Sequence, residues 1–146
     1  HVACAGSAVA VEVEKAELAL RRIEWRVLVE GQRLGLAEAA RGGDDALFPS
    51  PDGFVAESSI WSLFWWEGGE VAAPPLELGV LPGVARARLV EVLGGMREGL
   101  LPVAALATHG GFAANAARGI VPVVEVDGVQ VLPKRGLVAL QEAFWP

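Results

Sequence analysis

The stretch FVAESSIWSLFWWEGGEVAAPPLELGVLPGVARAR, residues 54–88, decides how the rest of the chain is read, because it joins one buried-looking carboxylate, Glu57, to a loop that opens a helix. Residues 54–57 and 60–66 read as paired strands, with Gly68-Gly69 as the hairpin connection to 70–73. Trp61, Trp65 and Trp66 crowd this segment and read as core or interface rather than as a base-stacking platform. After Pro74-Pro75 the chain reaches Leu81-Pro82-Gly83 and a helical run over 84–96. There Leu89, Val92, Leu93 and Met96 form the apolar stripe, and Arg86, Arg88 and Arg97 the wetted side. A glycine just before a helix lets the first amides face an anion, so Gly83-Val84-Ala85 is a candidate phosphate site.

Upstream, the alternation over 9–13 predicts a half-buried strand, extensible to Leu18, with Lys15 solvated in its outward register. The spacing then predicts a helix over 26–41, stopped by the Gly-Gly-Asp-Asp at 42–45. Residues 46–48 read as a short buried strand and PSPDG at 49–53 as a turn, which makes Asp52 a turn residue. Downstream, 104–117 is apolar and small, with no clear periodicity. His109 in this segment reads as structural or exposed rather than as a ligand or base, having no second histidine in register. IVPVVEVDGVQVL at 120–132 predicts two strands closed by Asp127-Gly128. A closing helix over 137–144 packs Leu137, Leu140 and Phe144 onto the sheet.

At 146 residues the chain can bury one core, so a single α/β domain spanning 1–146 is expected. A formal charge of −6 argues against a nucleic-acid surface. Lysine chemistry has only two candidates, Lys15 and Lys134. The single cysteine, Cys4, excludes an internal disulfide and suits a reducing, cytoplasmic setting. The longest uncharged run, 100–117, contains Pro102, His109, Gly110, Gly111 and Asn115 and makes a poor membrane span. No signal peptide or metal-ligand cluster is read, although the chain begins at His1 rather than Met.

Taken together, GGDDALFPSPDGFVAESS (42–59), SLFWWEGGEVAAPPL (62–76), GVLPGVARARL (79–89) and NAARGIVPVVEVDG (115–128) resemble the class IV aminotransferase family, pyridoxal-phosphate enzymes of fold type IV. The resemblance covers about residues 34–146 in the family's order and approximate spacing. It implies an α/β (α+β) fold, the C-terminal large domain of the D-amino-acid aminotransferase-like architecture, with a mixed, barrel-like sheet and flanking helices. The family's smaller N-terminal domain has no counterpart in these residues.

The resemblance also implies roles. Glu57 matches the acid that pairs with the pyridine nitrogen of pyridoxal 5'-phosphate and keeps it protonated. Gly83, Val84 and Ala85 match the phosphate-binding turn, with Ala85 where many aminotransferases carry threonine. Asn115 matches the polar residue of the second phosphate segment and is more like the lyases than the aminotransferases.

The position of the Schiff-base lysine falls at Glu24, which cannot form that bond. Ser62 stands where an asparagine is usual, and His109-Gly110 where an acidic pair is usual. The implied functions are a 4-amino-4-deoxychorismate lyase releasing pyruvate and p-aminobenzoate, a branched-chain or D-amino-acid aminotransferase, or a non-catalytic binding or oligomerisation module. A homodimer is the implied assembly.

Overall fold

The computed structural model describes residues 9–12, 45–126 and 128–145. Lys15, Glu24, the helix expected over 26–41, Asp127 and the extension of the first strand toward Leu18 lie outside the described residues. Among the described residues nine strands form one mixed sheet: β1 Val9–Glu12, β2 Asp45–Phe48, β3 Glu57–Ser58, β4 Ser62–Glu67, β5 Glu70–Ala73, β6 Arg97–Glu98, β7 Phe112–Asn115, β8 Gly119–Val126 and β9 Val129–Gln130. Two α-helices among the described residues, α1 Val84–Leu93 and α2 Leu137–Phe144, accompany them.

The strand order is β3-β2-β1-β8-β7-β4-β5-β6, with β9 on β8. β3 also pairs with β4, so the sheet curls until strands far apart in this order meet. β1 runs parallel to both β2 and β8. β4, β7 and β8 are antiparallel neighbours, with Phe64 opposite Phe112 and Phe112 opposite Pro122. The result is the mixed, barrel-like α/β architecture expected from the sequence.

Strand side chains alternate between two cores because successive Cβ atoms leave opposite faces. Leu63 and Trp65 of β4, Ala72 of β5, Ala113 of β7 and Val121 of β8 enter one cluster with Leu47, Trp61 and Leu106. Phe64, Val71, Phe112, Ala114 and Ile120 enter the other, which Ala85 and Leu89 of α1 and Leu137, Leu140 and Phe144 of α2 complete. With both faces covered, β4 has no wetted side, and this explains the unbroken Leu63-Phe64-Trp65-Trp66 run. The Phe64 and Phe112 rings stack with centroids 5.4 Å apart.

Several local expectations are corrected. The strand expected over 54–57 is only the two-residue β3, because Phe54 bridges to Pro102 and the Val55 amide donates to the Leu101 carbonyl instead. α1 ends at Leu93, not at Met96, because Gly94 adopts a left-handed conformation at φ 73° and its amide caps the Val90 and Glu91 carbonyls. Arg86 is not on a wetted face: it is 9% exposed. Its guanidinium donates to the Pro74 carbonyl at 2.7 Å and to Glu98 at 2.6 Å, tying α1 to the β5–β6 edge. Asp45 is not a loop residue but the first residue of β2, 1% exposed.

The two-residue hairpin through Gly68-Gly69 forms as expected, with Glu67 opposite Glu70. Val126 opposite Val129 closes the other expected hairpin. The segment over 104–117 contributes β7, preceded by a 3-10 turn at Val103–Ala105. Among the described residues, no helix is long and apolar enough to cross a membrane.

Candidate active site

Register brings the polar residues of the opening stretch together. Glu57 on β3 stands opposite Ser62 on β4, and Ser62 stands opposite Ala114 on β7, next to Asn115. One line across three strands therefore carries Glu57, Ser62 and the end of β7. The turn between β3 and β4 is held by Ser58, whose Oγ accepts the Trp61 amide at 3.1 Å. Ser59 beside it donates from Oγ to the Asp45 carboxylate, anchoring the turn to β2.

The loop that precedes α1 folds onto this line. Its Leu81 amide donates to Glu57 Oε2 at 3.4 Å, and the Gly83 amide turns back onto the Leu81 carbonyl at 2.8 Å. Gly83 is the N-cap of α1, and a Cβ placed there would lie 3.9 Å from Ser62 Oγ. The helix start is thus set beside the same strands as Glu57.

No side chain caps α1, and no acidic residue occupies its first turn. The first helical bond runs from the Ala87 amide to the Gly83 carbonyl at 3.1 Å, which leaves the Val84 and Ala85 amides ahead of it. Free amides and the positive end of the helix dipole favour an anion there. Ala85 is buried, with its methyl in the second core, so only its amide is offered to a ligand; Val84 is exposed. A carboxylate and an open helix start, held by the same loop, match the charges of a protonated pyridine and a phosphate. The residues therefore fit pyridoxal 5'-phosphate through its non-covalent contacts.

Asn115 has a different local task. Its Oδ1 accepts the Ala117 amide at 3.1 Å and the Arg118 amide at 2.8 Å, closing the turn from β7 to β8. It shapes the backbone at the rim, with its amide nitrogen 3.5 Å from the Ile60 carbonyl. Lys134 is not part of this cluster: it lines a separate cleft with Trp66, Thr108, His109 and Arg135. His109 is structural in its backbone, whose carbonyl accepts the Trp66 amide at 2.9 Å. Among the described residues, no group of three or more His, Cys, Asp or Glu is placed to hold a metal ion.

The Asp45–Ser59 pair is not visible in the sequence, where Gly-Gly-Asp-Asp has the composition of a helix stop. What the sequence does carry is the two-residue spacing from Asp45 to Leu47, which puts both on one face of β2.

The fold is that of the class IV aminotransferases, a pyridoxal-phosphate-dependent family. The family model for amino-transferase class IV matches residues 32–126, and the chain belongs to that family. Among solved structures, the branched-chain aminotransferase of the archaeon Thermoproteus uzoniensis is similar at a TM-score of 0.81 and 22% identity, over 95% of this chain and 50% of that one. The Escherichia coli branched-chain aminotransferase aligns at 0.81 and 23% identity, over 94% of this chain and 50% of that one. A provisionally assigned 4-amino-4-deoxychorismate lyase of Legionella pneumophila aligns at 0.78 and 22% identity, over 92% of this chain and 54% of that one. The chain thus spans about half the length of these relatives. No curated protein sequence matches it significantly.

Proposed function

We propose that this chain is the cofactor-cradling large domain of a pyridoxal-phosphate enzyme of its family, with 4-amino-4-deoxychorismate lyase as the activity. The observation that carries the cofactor reading is the contact between Glu57 and the loop that opens α1, which joins the pyridine-side acid to the phosphate-side amides. When bound, the cofactor supplies an electron sink for a carbanion formed beside the substrate amino group. Glu57 would hold a proton on the pyridine nitrogen, and its charge would be neutralised in doing so. Val84 and Ala85 would anchor the phosphate through their amides, and Ser62 would border the pyridine ring.

Asn115 and Ala85 favour the lyase reading, since both depart from the aminotransferase pattern in the two phosphate segments. An aminotransferase acting on branched-chain amino acids is the second reading, supported by the fold shared with the enzymes named above. Glu24 at the lysine position favours the third, a non-catalytic module. The likeness to this family further supports a single domain over 1–146 that pairs as a homodimer, a state sedimentation equilibrium measures.

Incubation with pyridoxal phosphate, borohydride reduction and peptide mapping separates these readings. An adduct at one lysine, with pyruvate released from aminodeoxychorismate, is the outcome expected of the lyase. Keto-acid formation from leucine instead identifies the transaminase. Reversible cofactor binding with no adduct leaves the module, and no binding at all overturns the cofactor reading.

A further inference from the structure

A second concave site lies beyond the Glu57 cluster and shares no residue with it. It is a cleft of about 390 Å³ lined by Trp66, Gly69, Thr108, His109, Lys134 and Arg135, of a size that accommodates a small molecule. The surroundings are strongly biased in charge. The chain carries a formal −6, yet two adjacent cations stand on this rim. Neither Lys134 nor Arg135 forms an ion pair among the described residues. Of the carboxylates at the ends of the nearby hairpin, Glu67 accepts the Trp65 indole N–H at 3.1 Å, and Glu70 lines a neighbouring cavity that shares Trp66 and Gly69 with this cleft.

The cleft is also shaped rather than incidental. Gly110 has φ 61°, and a Cβ there would fall 2.2 Å from Lys134 Cγ, so the lysine stem lies directly on bare backbone. Any larger residue at 110 would displace it. His109 Nδ1 lies 2.8 Å from the Ala105 carbonyl. A carbonyl only accepts, so Nδ1 carries the proton and the ring is held in one orientation with Nε2 outside that contact. Trp66 forms the aromatic wall; its indole nitrogen is buried away from solvent, so the ring rather than the N–H is what the cleft presents. Two exposed cations without an ion pair among the described residues, set beside an aromatic wall, are the complement of a small organic oxyanion.

We infer that this cleft binds a small molecule bearing a carboxylate or phosphate oxyanion, recognised by Lys134 and Arg135 and packed against Trp66. The anion lies across the two cationic side chains, and the aromatic face covers its carbon skeleton. This site is independent of the cofactor cradle and would persist if that cradle proved empty.

Residue-resolved NMR of the full chain tests it, with inorganic phosphate and succinate titrated separately. Saturable shifts are expected at the Trp66 indole N–H and at the amides of Gly69, Thr108 and His109. The double variant K134Q/R135Q should weaken binding by about tenfold or more, as loss of charge-assisted hydrogen bonds predicts. K134R, which keeps the charge, should retain most of the affinity, and unchanged thermal unfolding would show that these exposed substitutions leave the fold intact. Response to phosphate alone identifies a phosphate ligand; response to succinate alone identifies a carboxylate. Shifts confined to Val84 and Ala85 at the α1 start, or equal binding by K134Q/R135Q, would overturn the inference.

Discussion

Glu57 shows how much a single side chain's meaning depends on its neighbours. In the sequence it is an acid between Ala56 and Ser58 on a short strand, a place where a solvated carboxylate is ordinary. In the fold its Oε2 accepts the Leu81 amide and faces the loop that starts α1. Replacing it with glutamine keeps the acceptor and removes the charge. Glu57→Gln should therefore lower pyridoxal-phosphate affinity about tenfold, the scale of one charge-assisted hydrogen bond, with little change in unfolding temperature. An absorbance titration reads the affinity, and an unchanged dissociation constant would remove Glu57 from the cradle. Arg86 makes the opposite point: its position on the helix reads as wetted, yet its guanidinium is satisfied by Pro74 and Glu98. Helical periodicity ranks faces by hydrophobicity and cannot foresee a carbonyl waiting on another element.

At the scale of elements, β4 and α1 behave as their composition requires, and their ends are set by backbone chemistry. Gly94 stops α1 because it reaches φ 73°, where an L side chain is strained. A Cβ at Gly94 would meet nothing within 4 Å, so the cost of substitution comes from the backbone alone. Gly94→Ala should destabilise the protein by about 1 kcal/mol in urea unfolding, without altering cofactor or anion binding. A loss several times larger would mean that the turn after α1 carries tertiary contacts of its own. The hairpins at 68–69 and 127–128 and the closing helix were legible because their signals are local: a Gly-Gly or Asp-Gly pair, and a helical spacing of Leu137, Leu140 and Phe144. The first residues of the 54–57 segment were not, since Phe54 and Val55 take partners from 101–102, nearly fifty residues on.

For the whole molecule the deciding feature is a sheet covered on both faces. Trp65 is fully buried in one core and Phe64 in the other, although they are adjacent in sequence. Trp65→Ala and Phe64→Ala should each cost about 3–5 kcal/mol by chemical denaturation, the range for emptying a large aromatic site in a packed interior. Ile60→Ala, at a position 59% exposed, should stay within about 0.5 kcal/mol. If Phe64→Ala were as mild as Ile60→Ala, the second core under the helices would not contribute to cooperative folding.

By itself the sequence determined the family and its mixed α/β fold through the order and spacing of its motifs, and most of the strands from 62 onward and the closing helix because hydrophobic period and turn residues act over short range. The grouping of Glu57, Ser62 and the α1 start could also be anticipated from motif order. Only the tertiary structure decided that Asp45 is buried against Ser59, that Arg86 serves the core edge, that Asn115 is occupied by its own turn, and that Lys134 lies over Gly110 in a second cleft. Each depends on a hydrogen bond or close approach set by strand register or loop packing, which is known only once the sheet has curled.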